Sequence, residues 1–312
     1  MKTSISQALK PPAAQAAART SAGKAAARTS AGKAAARTPA AKAAIHTPAR
    51  KAAARPPAAA RAAVHISEER GLRLMHLGDD AIQSRMRLDR PDELSLAYTR
   101  AMMGGLLFSA RTPRDFLMIG LGGGSLAKFI HRRLPRAHVT AVEINPQVLI
   151  AARTMFGVPA NGSRFRAVLG DGAKVVRDLP EAQFDVVLLD AYCGGRQVPA
   201  ITRLAFYRRV QRVLRPGGVL VVNCIADQPE LRGYLDNLCR AFDGRVWAVP
   251  TPPDDNLAVF ALGADAESPD IERLRSRAVR WQARLALPFR RWVREMREVP
   301  HSSAVRRARP AR

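Results

Sequence analysis

The sequence predicts an α/β fold, a doubly wound and mostly parallel sheet, and three observations carry that reading. Short apolar runs alternate with amphipathic segments from Pro113 onward. A glycine-rich turn, Gly120-Leu121-Gly122-Gly123-Gly124, follows the first run, and an acidic residue stands after each of the next three. Strands alternating with helices form βαβ units, whose parallel strands must be covered on both faces. A chain of 312 residues has room for such a core in one or two domains.

Residues 1–66 stand apart as a basic tail. From Pro12 the sequence repeats every nine residues (PAAQAAART, SAGKAAART, SAGKAAART, PAAKAAIHT, PARKAAARP), with cations spaced four apart and Pro or Ser-Ala-Gly at each junction. Alanine favours helix, the junctions break it, and almost nothing larger than alanine is available to bury, so the segment is expected to be disordered. It resembles the Ala/Lys/Pro-rich tails of bacterial histone-H1-like proteins. Residues 1–67 carry 12 Lys and Arg and no acid, and residues 273–312 carry 13 Arg against two Glu. Of the formal +25, only +2 is left for the segment between. The tail therefore reads as a solvated polycation or as a non-specific nucleic-acid contact through residues 1–67, with an organelle transit peptide as a lesser reading.

Residues 67–112 read as a small β-hairpin followed by a helix. Alternation over 72–77 and 82–88 flanks the turn Gly78-Asp79-Asp80, and Leu94, Ala97/Tyr98, Ala101/Met102 and Gly105/Leu106 follow at helical spacing. Residues 113–264 carry the main domain. Phe116–Ile119 is its first strand, with a helix to about Arg133. Val139–Val142 is the second, ending at Glu143, with a helix through Met155. Phe165–Leu169 leads to Gly170-Asp171-Gly172 and a helix, and Phe184–Leu189 ends at Asp190. A helix over about Arg203–Leu214 turns at Arg215-Pro216-Gly217-Gly218 into the strand Val219–Asn223; residues 230–242 read as a helix and Leu257–Leu262 as a late strand. Residues 265–312 form an Arg-rich helical extension anchored by Trp281, Leu285, Leu287, Phe289 and Trp292.

Open α/β sheets bind ligands beyond the carboxyl ends of their strands, which is where the informative residues fall. Gly120, Gly122 and Gly124 would let the backbone approach a nucleoside, with helix N–H groups facing it. The spacing is GxGxG, unlike the dinucleotide fingerprint GxGxxG, because Ser125 takes the place of its last glycine. Glu143 suits two ribose hydroxyls, Asp171 an adenine amino group, and Asp190 the crevice where a reacting centre would lie. Any one of these acids alone would read as a helix cap or loop residue; three at successive strand ends beside a glycine loop point to a nucleoside site.

LMIGLGGGSLAKFI, VTAVEINPQV, VLGDGAKVV, FDVVLLDAY and LRPGGVLVVN resemble the successive motifs of the spermidine synthase (polyamine aminopropyltransferase) family over residues 67–263. The resemblance implies a Rossmann-like class I AdoMet-transferase fold. Decarboxylated S-adenosylmethionine, or S-adenosylmethionine itself, would be the co-substrate, a small amine the acceptor, and no metal would be needed. It makes Glu143 the ribose ligand, Asp171 the adenine ligand and Asp190 the catalytic acid, with Gln83, Tyr98 and Cys193 along the substrate channel. Three positions depart from the family pattern. Gly123 stands in place of an acid in GGGDGG, Cys193 in place of the second acid of Asp-x-x-Asp, and Pro252 in place of the tyrosine of Pro-Thr-Tyr.

The readings are therefore an aminopropyltransferase of polyamine biosynthesis, an AdoMet-dependent methyltransferase, or a catalytically degenerate nucleoside module tethered to nucleic acid by its tail. A homodimer is left open. Cys193, Cys224 and Cys239 show neither disulfide nor zinc spacing, and no apolar stretch approaches the ~20 residues of a membrane span. A cytoplasmic protein, nucleoid-associated if the tail holds DNA, is the expectation.

Overall fold

A computed structural model describes residues 57–300 except 79–80, 194, 265 and 267–269. The nine-residue repeat, the tip of the predicted hairpin and the last twelve residues thus lie outside the described residues.

Among the described residues the main sheet has eight strands. β4 (Asp115–Ile119), β5 (His138–Glu143), β6 (Phe165–Leu169), β7 (Phe184–Leu189) and β10 (Leu214–Ile225) run parallel. β12 (Asn256–Leu262) is antiparallel to β10, β11 (Val246–Pro250) pairs with β12, and β13 (Arg297–Glu298) closes the edge. The order is β13-β11-β12-β10-β7-β4-β5-β6. It reverses beside β4, the first strand, which is where a doubly wound sheet opens a crevice.

Each central strand is apolar on both faces because both are covered. In β4, Phe116 and Met118 pack toward one layer while Leu117 and Ile119 pack toward the other, and β7 alternates in the same way. One layer holds α2 (Ala97–Met102) with its 3₁₀ continuation Met103–Phe108, α3 (Ser125–Arg133), and α8 (Ile271–Leu285) with α9 (Phe289–Glu295). The other holds α5 (Gly172–Asp178), α6 (Leu204–Val213) and α7 (Leu231–Ala241). A further helix, α4 (Pro146–Thr154), follows β5 and supports the small sheet.

Several boundaries differ from the sequence reading. The small sheet has three strands, because β1 (Val64–Glu69) pairs antiparallel with β2 (Leu72–Leu77), which pairs with β3 (Ile82–Arg87). Ten residues assigned to the basic tail, 57–66, thus belong to the fold; a short helix α1 (Ala58–Arg61) precedes β1. Val-His-Ile-Ser-Glu-Glu carries few apolar residues, so β1 leaves little trace in the sequence. β11 and the small hairpin of β8 (Tyr192–Cys193) and β9 (Arg196–Gln197) are also additions to the sequence reading. The C-terminal extension is core rather than appendage. Trp281, Leu285, Phe289 and Trp292 share one cluster with Phe108 and Phe260, and the Trp281 indole N–H donates to the Leu106 carbonyl at 3.1 Å.

Lys128, only 2% exposed, fastens α3 to the small sheet's exit. Its Nζ donates to the carbonyls of Pro91 and Phe156, both at 2.7 Å, and burial pushes its pKa down to about 8. Among the described residues no helix is long and apolar enough to cross a membrane, and no group of His, Cys, Asp and Glu could hold a metal ion.

Candidate functional site

A cavity of about 240 Å³ opens at the carboxyl ends of β4, β5, β6 and β7, roofed by the small sheet and α2. Its floor is the glycine turn. Gly120 has φ +91°, and a Cβ there would lie 2.0 Å from the Asp190 carbonyl oxygen, so β4 and β7 exit in direct backbone contact. Gly122, with φ +53°, lines the cavity, and a Cβ there would reach van der Waals contact with Gln83 and Ser84, the nearest atom at 3.8 Å. Gly124 does not line it. It caps α3 with φ +69°, and its missing side chain makes room for Val158, whose Cγ2 would lie 2.2 Å from a Cβ. Its glycine is required by packing rather than by a ligand.

The three strand-end acids all reach the cavity. Glu143, 7% exposed, accepts from the Leu121 N–H at 3.0 Å through Oε2 and from the Asn145 N–H at 2.9 Å through Oε1. Burial raises its pKa against the pull of these amides. The carboxylate therefore ties the glycine turn to the end of β5. Asp171 caps α5, its Oδ1 accepting from the Ala173 N–H at 2.9 Å, and it also lines the cavity.

Asp190 sits at the centre of a polar network. Its Oδ1 accepts from the Asn223 side-chain amide at 2.9 Å, and the Tyr98 hydroxyl donates to the same carboxylate. Burial raises the Asp190 pKa, while these two donors act to lower it. The Tyr98 hydroxyl is itself raised well above its ordinary value by burial and by the neighbouring carboxylate. Asn223 is held in turn: Tyr192 OH and Gln197 Nε2 donate to its carbonyl at 2.8 and 2.6 Å, and Asn256 Nδ2 donates to its Oδ1 at 2.8 Å. Asp254 places Tyr98 by accepting from the N–H groups of Ala97 and Tyr98 at 2.9 and 3.3 Å, at the start of α2.

Gln83 and Tyr98 both line the cavity. Cys193 does not: it lies in the β8–β9 hairpin, paired in register with Arg196, while its neighbour Tyr192 faces the cavity. The resemblance places Cys193 along the substrate channel, whereas it is not among the residues that line the cavity. Asn223, Asn256, Tyr192 and Asp254 were not singled out from the sequence. Asn223 alone left a signal there, a polar residue at the end of the otherwise apolar strand LRPGGVLVVN. The N-terminal segment also contributes. Asn145, which caps α4, donates from Nδ2 to the Ala59 and Ala62 carbonyls at 3.1 and 2.8 Å, and Ala59 lines the cavity.

One property unites the described lining. Its charged side chains are Glu143, Asp171 and Asp190, all carboxylates, with no Lys or Arg among them.

The spermine/spermidine synthase domain model matches residues 95–250. A polyamine aminopropyltransferase of Chromobacterium violaceum is 39% identical over 245 residues, covering 78% of this chain and 93% of the relative. Among solved structures, a probable spermidine synthase from Corynebacterium glutamicum aligns with a TM-score of 0.58 at 18% identity, over 79% of this chain and 95% of that one. Human methyltransferase-like protein 13 in complex with SAH aligns with a TM-score of 0.56 at 25% identity, over 62% of this chain and 93% of that one.

Proposed function

The chain belongs to the spermine/spermidine synthase family, and from that premise we propose that it transfers the aminopropyl group of decarboxylated S-adenosylmethionine to a small amine. The observation that supports this most is the sign of the charge in the cavity. A sulfonium donor and an ammonium acceptor are both cations, and three carboxylates face the cavity with no opposing cation in its described lining.

Glu143 and the glycine turn hold the nucleoside, Glu143 through ribose hydroxyls, and Asp171 offers an acceptor to the adenine amino group. Asp190 holds the acceptor amine and takes its proton. The amine nitrogen then attacks the carbon next to sulfur, the N–C bond forms as the C–S bond breaks, and the electron pair leaves on methylthioadenosine. A carboxylate with raised pKa suits this role, because its basicity lies nearer the working pH. Asn223 and Tyr98 fix its orientation, and the neutral Tyr192, Asn223 and Asn256 line the rest of that wall. Incubation with decarboxylated S-adenosylmethionine and putrescine should yield spermidine and methylthioadenosine by mass spectrometry. A folded protein that gives no product at high enzyme concentration overturns this reading.

Gly123 favours a second reading, methyl transfer from S-adenosylmethionine. A Cβ at Gly123 would fall 2.6 Å from Ser84 Oγ and 2.7 Å from Phe156 Cδ1, so the place of a loop acid is filled by packing. Methyl transfer depends on alignment more than on acids around a polyamine. Labelled methyl transfer into a cell extract distinguishes the two readings.

A further inference from the structure

We infer that the face opposite the cavity, at the amino ends of the parallel strands, is a binding groove for the phosphodiester backbone of a nucleic acid. A groove of about 1210 Å³ runs there between the segment leading into β4, the turn before β5, the Arg215–Gly218 turn and α8. Five arginines face it: Arg111, Arg114, Arg136, Arg215 and Arg284.

The two acids in the same groove leave a net charge of +3, and both pair with a single arginine. Arg215 Nη1 spans Asp115 at 2.7 Å and Asp185 at 3.1 Å. The second oxygen of Asp185 accepts from the backbone N–H groups of Arg114 and Asp115 at 2.7 and 3.0 Å, and His138 lies 3.4 Å from Asp115. Both carboxylates are therefore occupied. Arg111, Arg114, Arg136 and Arg284 are exposed, and none forms an ion pair among the described residues. Arg284 lies over the Trp281 ring, 5.3 Å from its centroid. Arg280 continues the charge around the rim beside Arg111 and Arg284.

Like charges gathered without counterions weaken a fold unless a ligand neutralises them. The form of the groove selects among anions. Its cations come from four separate segments and line an open trough, which suits a chain of phosphates better than one small anion. All of them are guanidiniums, whose planar forks match phosphate oxygens in pairs. The strands of the sheet separate this groove from the acidic cavity, and five to six residues at about 3.3 Å each make that distance roughly 17–20 Å. A polyanion bound there would leave the cavity open.

Full-length protein carrying R111E/R114E/R136E tests the groove against full-length R208E/R209E/R240E, which changes net charge equally on the exposed faces of α6 and α7. The probe is a fluorescent 20-nucleotide DNA, single-stranded and duplex, titrated over a range of salt concentrations. The groove variant should bind at least about tenfold more weakly than the control at low salt. On duplex its slope of log K against log salt should be shallower by roughly 0.9 for each phosphate it no longer neutralises. The groove variant should unfold at a temperature no lower than the unmodified chain, and its transfer rate at saturating amine should be the same. If the two variants bind alike, or if photocrosslinks from the DNA avoid 109–115, 134–137, 215–218 and α8, the groove is not the site.

Discussion

A buried carboxylate that must ionise to act as a base works against the stability of the fold that holds it. Asp190 is in that position, its pKa raised by burial despite the hydrogen bonds from Asn223 and Tyr98. The linkage has a definite sign. Below the ordinary carboxylate range Asp190 carries a proton in both folded and unfolded chains, and no penalty exists. As pH rises from the unfolded value through the raised folded value, the unfolded chain releases its proton first and stability falls. Asp190→Asn should therefore unfold at a higher temperature than the unmodified chain at neutral pH, with the difference closing in acid. The same variant should lose about 10²–10⁴-fold in transfer rate. The rate of the unmodified enzyme should rise with pH to a plateau, with its midpoint above that of an ordinary aspartate. Calorimetry and rate measurements over one pH series check all three. An active Asp190→Asn would remove this residue from the chemistry. The strand-end acids were legible because a short apolar run fixes where each strand stops, and the fold type fixes that ligands lie beyond that end. Asn223 and Asp254 act across the fold, 33 and more than 150 residues from the groups they hold in sequence, and local spacing carries no trace of such pairings. Cys193 follows Asp190 by three residues in sequence, yet the hairpin that holds it leaves it outside the cavity lining.

At the scale of elements, the cavity depends on a segment whose composition hides it. Ala58–Arg61 and the Ala62-Ala63 pair that leads into β1 continue the alanine-rich texture of the tail, so composition alone drew the boundary ten residues too late. What fixes them is tertiary: Asn145 grips two carbonyls of this segment, and β1 pairs along its whole length with β2. Ala59, buried in the cavity wall, follows from that grip. A chain starting at residue 57 should bind methylthioadenosine as the full chain does, whereas one starting at residue 67 should bind at least about tenfold more weakly and melt at a lower temperature. Removing half of β1 and the partners of Asn145 leaves buried polar groups unpaired, at roughly 1–3 kcal/mol each. Isothermal titration of the two chains decides the matter, and equal affinity would show that the segment merely rests against the site.

Across the whole molecule, charge is separated along the strand direction, with carboxylates at the carboxyl ends of the sheet and guanidiniums at the amino ends. The formal +25 therefore gives the wrong expectation for the cavity, which faces its ligands with negative charge inside a strongly positive chain. Two long-range fields then act on a cationic acceptor: the distant arginines repel it and the near acids attract it. Salt screens charges over about 10 Å at 0.1 M, so the repulsion from the far face and the tails disappears first. The attraction within the cavity is short-ranged and partly shielded from solvent, and it fades only at higher ionic strength. The KM for the amine should consequently pass through a minimum as salt is raised, falling by about twofold to threefold before it climbs. The rate at saturating amine should hardly change, because Asp190 and its partners are in direct contact. In R111E/R114E/R136E the initial fall should shrink while the later climb stays. A KM that only rises with salt in both proteins would mean that the acceptor feels the cavity alone, and that the basic face plays no part in its approach.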